Sequence, residues 1–337
     1  MHIPDGFINL PTAAATSVAS AGGVAYALRV ARTRLLDRQI PLVGVTAAFV
    51  FAVQMINFPV LPGVSGHLIG GALAAILLGP WLGCLVLATV LMVQAIGFAD
   101  GGITALGANI SLMALITAAG GHYLFRALTA VLPRGHRSFI AATAITAWTT
   151  VFVASGLAAL YITYGGFAGA QQAAVIIPVM LAIHAAIGVG EAFITTAVVM
   201  AVLSARPDLV ANADRLQPAE RRRTRTSSRA LVAGGIVAAF IAAVGLSSFA
   251  SSQPDGLEAT VMRTQCTAAA DPAACLEAAA SDPVFTASPL PDYSVPWVAG
   301  FVGVVACLAV GAGWMRTVRR RPQPTPVRPR EREPSLR

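Results

Sequence analysis

AVIIPVMLAIHAAIGVGEAFITTAVVMAVL, residues 174–203, is an almost unbroken apolar stretch, and roughly twenty such residues suffice for a helix to cross a bilayer. Similar runs lie near 10–28, 41–57, 67–79, 82–98, 105–125, 138–163, 230–250 and 295–315. The 337-residue chain is 56% hydrophobic and 11% charged, with mean hydropathy +0.72. An ordinary soluble domain is about 25% charged, so a water-soluble enzyme is excluded. The pattern predicts an all-α integral membrane protein of about nine transmembrane helices. The run at 67–79 is short for a crossing, so the Pro/Gly-rich stretch before it should dip into the protein. Irregular backbone at that depth needs protein or a polar cavity around it.

All 23 basic residues are Arg, and the net charge is +8. Such a balance would suit nucleic acid, but the Arg positions point to topology instead. Arg29, Arg32, Arg34, Arg38, Arg126, Arg134 and Arg137 fall on one side by alternation of spans. The 206–229 stretch with Arg221, Arg222 and Arg223, and the tail from Arg316, fall there too. Only Arg263 lies opposite. By the positive-inside rule the Arg-rich side is cytoplasmic, which places the N-terminus outside and the C-terminus inside an inner membrane. No nucleic-acid partner is expected, and the lipid bilayer is the surrounding medium. The organisation reads as a membrane unit (1–203), a basic cytoplasmic linker (204–229), a two-helix unit (230–315) with an external loop at 251–294, and a disordered tail (316–337). Pro4, Asp5, Gly6 and Pro11 precede any apolar run and no basic leader is present, which does not fit a signal peptide. The mature chain should begin at Met1.

The opening MHIPDGF is the most informative short stretch. Its terminal amine, the His2 amide once deprotonated, and the His2 imidazole through Nδ1 form a five- and a six-membered chelate ring in one plane. Square-planar nitrogen donation suits Ni(II) or Cu(II), whereas Zn(II) prefers a tetrahedron. His67 follows a tight Pro/Gly loop on the same expected outer face and should face an interior site or a backbone carbonyl, since an imidazole is expensive in lipid. Asn57, Ser65, Asp100 and Asn109 are candidates for a surrounding shell or pathway. His184 and Glu191, seven apart, share a face of the seventh span, as a functional pair or a hydrogen-bonded structural one. His122 and His136 should be solvated at the cytoplasmic end. Ala48 and Ala52, with Gly22, Gly23 and Ala27, offer small-residue faces for close helix approach. Cys84 and Cys307 read as packing residues, while Cys266 and Cys275 share the external loop, where a disulfide is permitted. The chain has no HExxH, GxSxG or P-loop motif, so ATP-driven work requires a separate subunit.

MHIPDGF, the block FVFAVQMINFPVLPGVSGHLIGG (49–71), QAIGFADGGITALGAN (94–109) and IHAAIGVGEAFIT (183–195) together resemble the CbiM/NikM family. These are the substrate-binding components of energy-coupling factor transporters for cobalt and nickel. The resemblance covers about 1–203 and implies a seven-helix unit in which Met1, His2 and His67 bind the ion in a plane. It also implies a transmembrane coupling subunit, to which Ala48 and Ala52 would present a face, and partner ATPases. SSQPDGLEATV (251–261) resembles the PDGLE-type module, the small N component of such systems. The expected function is capture of Ni(II) or Co(II) as cargo, with no resident cofactor and no catalysis of its own. The alternatives are an ion-coupled stand-alone carrier using His184 and Glu191, and a membrane metalloenzyme. The latter lacks a general base near His67. Because the proposed donors all lie in 1–67 and the external loop contains no His, the C-terminal unit should serve transport and not capture.

Overall fold

The computed structural model describes residues 1–35, 39–216, 226–264, 271, 274–275 and 288–318. The expectations for Arg38, for Arg221 to Arg223, for Cys266 and for the tail beyond 318 lie outside these residues. Each of the nine apolar runs is helical: α1 (Leu10–Arg34), α2 (Ile40–Gln54), α3 (Gly71–Leu78), α4 (Pro80–Phe98), α5 (Leu106–Val131), α6 (His136–Tyr164), α7 (Ala173–Ala205), α8 (Ser228–Phe249) and α10 (Pro296–Val318). The short α9 (Gly256–Thr264) lies in the loop between the last two. Among the described residues six helices, α4 to α8 and α10, are long and apolar enough to cross a membrane. The other three are α1, the 15-residue α2 and the 8-residue α3. The short third run therefore behaves as its length predicts.

The dip before α3 is a β-hairpin, β1 (Phe58–Leu61) against β2 (Val64–Gly66). Its turn is at Gly63, whose φ of +71° lies in the left-handed region that glycine adopts without steric cost. The hairpin pairs its own backbone groups, which is how irregular chain survives beside apolar helices. α3 starts after Gly70 and packs on α4, α5 and α7, while the hairpin itself lies against α7 and the segment 256–264. The centre of α5, Ser111–Gly120, is wound as a π-helix.

The C-terminal helices are not tethered by the linker alone. α10 packs along α2 and α4, and α8 packs on α2. Gly303 lies so close to the Phe51 ring that a Cβ there would sit 1.9 Å from Phe51 Cζ. The small-residue face of α2 is used in the same packing, with Gly44 against Leu308 and Ala312. This corrects one expectation: Ala48 and Ala52 are fully buried within this chain, so neither presents a face to a coupling subunit.

Candidate metal site

The N-terminal nine residues thread back into the bundle. Asn9 caps α1 by accepting the Thr12 N–H at 3.0 Å. Upstream, Ile8 bridges Gly166, and Phe167 donates its N–H to the Phe7 carbonyl. Asp5 accepts the backbone and hydroxyl hydrogens of Thr104. Asn109, just inside α5, brackets Ile3 by accepting its N–H at 2.8 Å and donating to its carbonyl at 3.1 Å. Gly102 donates to the same carbonyl. Met1, His2, Ile3, Asp5 and Phe7 are all buried as a result. Burying an unpaired ammonium would be prohibitive, so the amine's partners are decisive.

Those partners are His67 and Asp255. The Met1 nitrogen lies 2.8 Å from His67 Nε2 and 2.6 Å from Asp255 Oδ2. His67 Nδ1 is 3.0 Å from the Leu68 carbonyl. A carbonyl only accepts, so Nδ1 carries the hydrogen and the lone pair sits on Nε2, facing the amine. Burial, then the charges of the amine and His2, lower the His67 pKa to about 3, which keeps that lone pair free at neutral pH. The two donors are also spaced for a shared ion. Neighbouring ligands at about 2.0 Å from a square-planar centre are roughly 2.8 Å apart. The His2 and His67 rings stack with centroids 4.9 Å apart and 17° between planes.

His2 departs from the expected chelate in one respect. Its Nδ1 lies 3.0 Å from Asp100 Oδ1, while Nε2 is buried with no hydrogen-bond partner among the described residues. The chelating nitrogen thus faces the half-buried Asp100 carboxylate. Chelation requires Nδ1 to leave this partner for the ion. Asp100 also accepts the Tyr293 hydroxyl at 2.6 Å. Burial alone would raise its pKa, but the charge and hydrogen bond of His2, with Tyr293, hold it below the usual carboxylate range.

The loop carrying His67 is held from behind. Glu191 on α7 accepts the N–H of Ile69 at 2.6 Å and of Gly70 at 2.9 Å, and Gln54 on α2 donates to the Ile69 carbonyl. Glu191 does not pair with His184. That residue instead donates Nδ1–H to the Met180 carbonyl at 2.9 Å, as a carbonyl partner requires. Its Nε2 has no hydrogen-bond partner among the described residues, and it borders a cavity of about 10 Å³ shared with Met1, His67 and Gly256. Such a cavity holds about one water. Glu191→Ala should leave two buried N–H groups without an acceptor, at about 1–3 kcal/mol each. Thermal unfolding should fall accordingly, and Glu191→Gln, with one carbonyl oxygen, should recover part of the loss.

Asn57, through its backbone carbonyl, and Ser65 receive the C-terminal unit. Ser251 donates to the Asn57 carbonyl at 2.8 Å, and Ser65 donates its N–H to Pro254 and its hydroxyl to the Gln253 carbonyl at 2.6 Å. This docking delivers the PDGLE segment (254–258). Asp255 Oδ1 accepts the N–H of Leu257 and Glu258, and Glu258 accepts the N–H of Asp255. The arrangement is a capping box that starts α9, worth about 1 kcal/mol for the cap alone. Oδ2 is left for the amine. Gly256 packs on His184, where a Cβ would lie 2.6 Å from Cε1. Burial would raise the Asp255 pKa, but the amine and His67 outweigh it and hold the carboxyl well below its ordinary value. Burial and then Asp255 push Glu258 up to about 7.

Among the described residues no three His, Cys, Asp or Glu side chains are grouped to hold a metal; the cluster depends on the terminal amine. His136 is exposed as expected, while His122 is half-buried near Asn212. Cys84 and Cys307 are free and buried, and Cys275 is disulfide-bonded. The C-terminal unit, read from the sequence as remote from capture, places a carboxylate on the amine because its loop docks on the hairpin.

Six bilayer-length helices with a buried, nitrogen-rich cluster at one end define a multi-pass membrane protein. Residues 2–209 match the family described as the cobalt uptake substrate-specific transmembrane region, CbiM, and residues 229–320 match the PDGLE domain. The chain belongs to the CbiM family and carries a PDGLE domain after it. It is 34% identical over 327 residues to a putative fused nickel transport protein NikMN of Archaeoglobus fulgidus, covering 95% of this chain and 99% of that one. It is 33% identical over 222 residues to the fused nickel transport protein NikMN of Rhodobacter capsulatus, covering 63% and 64%. A crystal structure described as a truncated transition metal transporter is similar with a TM-score of 0.54 and 29% identity. That likeness covers 60% of this chain and 98% of the other. The chain is thus a membrane component of metal uptake.

Proposed function

We propose that the chain is the substrate-capture subunit of an ATP-driven importer, taking Ni(II) or Co(II) as cargo from outside. The observation that carries this reading is the buried Met1 amine set 2.8 Å from the His67 lone pair, beside the stacked His2 ring. The amine, the deprotonated His2 amide, His2 Nδ1 and His67 Nε2 then form one plane around the ion. Partner ATPases acting through a transmembrane coupling subunit would release it inward, and the absence of a P-loop here supports that division of labour. Nickel fits the planar nitrogen set better than cobalt, and the full-length relative is described as a nickel transport protein.

The test is uptake of radioactive nickel and cobalt by cells expressing the chain with or without ATPase and coupling subunits. Uptake that needs those subunits is the expected result. Uptake that persists without them, and that Glu191→Gln abolishes without loss of stability, would favour the stand-alone carrier. The geometry disfavours that carrier, since Glu191 is engaged by two backbone N–H groups.

Acid should weaken binding. Ligation takes protons from the amine and the His2 amide and needs a neutral His2 Nδ1, so binding releases protons and affinity falls as pH drops. With its pKa near 3, His67 adds little to this fall above about pH 4. Calorimetry between pH 8 and pH 5, in buffers of different ionisation enthalpy, should show proton release and a steady loss of affinity. Flat affinity would point to carboxylate or carbonyl ligands.

A further inference from the structure

We infer that Asp255 is a positioning residue of the capture site, its Oδ2 accepting an N–H of the Met1 amine both before and after that amine ligates the ion. This rests on the reading of Met1 and His67 as ligands. The hydrogen count allows it. An ammonium has three hydrogens, and the structure directs the amine at Asp255 and at His67 Nε2. On ligation one proton leaves to solvent and the nitrogen lone pair goes to the ion. The His67 lone pair, freed from its hydrogen bond, goes to the ion as well. The coordinated amine keeps two hydrogens, and Asp255 retains one of them.

The position of Oδ2 separates this role from direct ligation. An oxygen above or below the ligand plane would be about equally far from the amine and from His67 Nε2. Oδ2 is 2.6 Å from the first and 3.8 Å from the second, so it belongs to the amine and not to an axial position shared by both donors. Nor is the carboxylate free to swing inward, because Oδ1 is engaged by two N–H groups of the α9 N-terminus. The segment is fixed in turn by Ser65 on the strand leading to His67. Charge gives a second reason: a divalent ion with one deprotonated amide leaves a net positive charge, which Asp255 beside the amine and Asp100 beside His2 are placed to offset where an unbalanced charge is costly. The PDGLE segment therefore contributes to capture itself.

The experiment is calorimetric titration of the purified full chain with Ni²⁺, alongside the visible absorption spectrum of the complex. The variants are Asp255→Asn, Asp255→Ser and His67→Ala. Asn and Ser both cap helices well, so a purely structural need at α9 would be met by either; Ser also serves if the Asn variant does not fold. At least a tenfold loss of affinity in the Asp255 variants, with an unchanged absorption spectrum, is the expected result. Wild-type affinity there, with affinity lost in His67→Ala, would overturn the inference and leave the capture-site reading standing. A shifted spectrum in the Asp255 variants would make Asp255 a direct ligand and would equally overturn it. Wild-type affinity in His67→Ala would sink the capture-site reading itself.

Discussion

A single residue added ahead of Met1 should abolish high-affinity metal binding while the chain still reaches the membrane. The extension turns the amine into an amide, which has no basic lone pair and no charge. It also forces extra chain into a site where Met1 is 3% exposed. Asp255 then loses the cation 2.6 Å away and stays buried beside His67. Removing one partner of a buried ion pair costs about 3–5 kcal/mol of stability, so the site is disturbed in addition to losing a donor. Calorimetry on the purified extended protein decides the matter, and wild-type affinity there would remove the amine from the site.

His67→Ala should be nearly as damaging, and His184→Ala should not be. Both imidazoles are buried, and both donate Nδ1–H to a carbonyl. Only His67 turns its remaining lone pair on the amine at hydrogen-bond distance. Loss of an outer-shell partner of a metal ligand costs about 10–100-fold, so loss of the ligand itself should exceed the upper figure. His184→Ala should leave nickel affinity within about tenfold of wild type, since the residue bears on Gly256 and the small cavity. Equal losses in the two variants would show that the ion sits between them.

Much of this was legible in the residues. The apolar runs marked the helices, and the shortness of the run at 67–79 foretold a non-helical approach to α3. MHIPDGF and His67 were singled out by the chemistry of adjacent nitrogens, and the fold does bring them together. What the sequence concealed was contact between distant segments. Asp255 stands 254 residues from the amine that it meets, and no periodicity links a loop carboxylate to a chain terminus. Glu191 looked like a pathway group because it is ionisable in an apolar helix. Its task of holding two N–H groups of the His67 loop depends on where that loop folds. Ala48 and Ala52 misled for a related reason: small residues mark close approach, but not whether the partner is another subunit or, as here, the rest of the same chain.

The most direct measurement is X-ray absorption at the nickel edge of the purified, loaded full chain. Four nitrogens in a plane, with the pre-edge feature of a square-planar ion, are the expected result, and the one-residue N-terminal extension should erase that signature. A six-coordinate, oxygen-rich shell, or a planar spectrum that survives the extension, would contradict capture of the ion by the chain terminus.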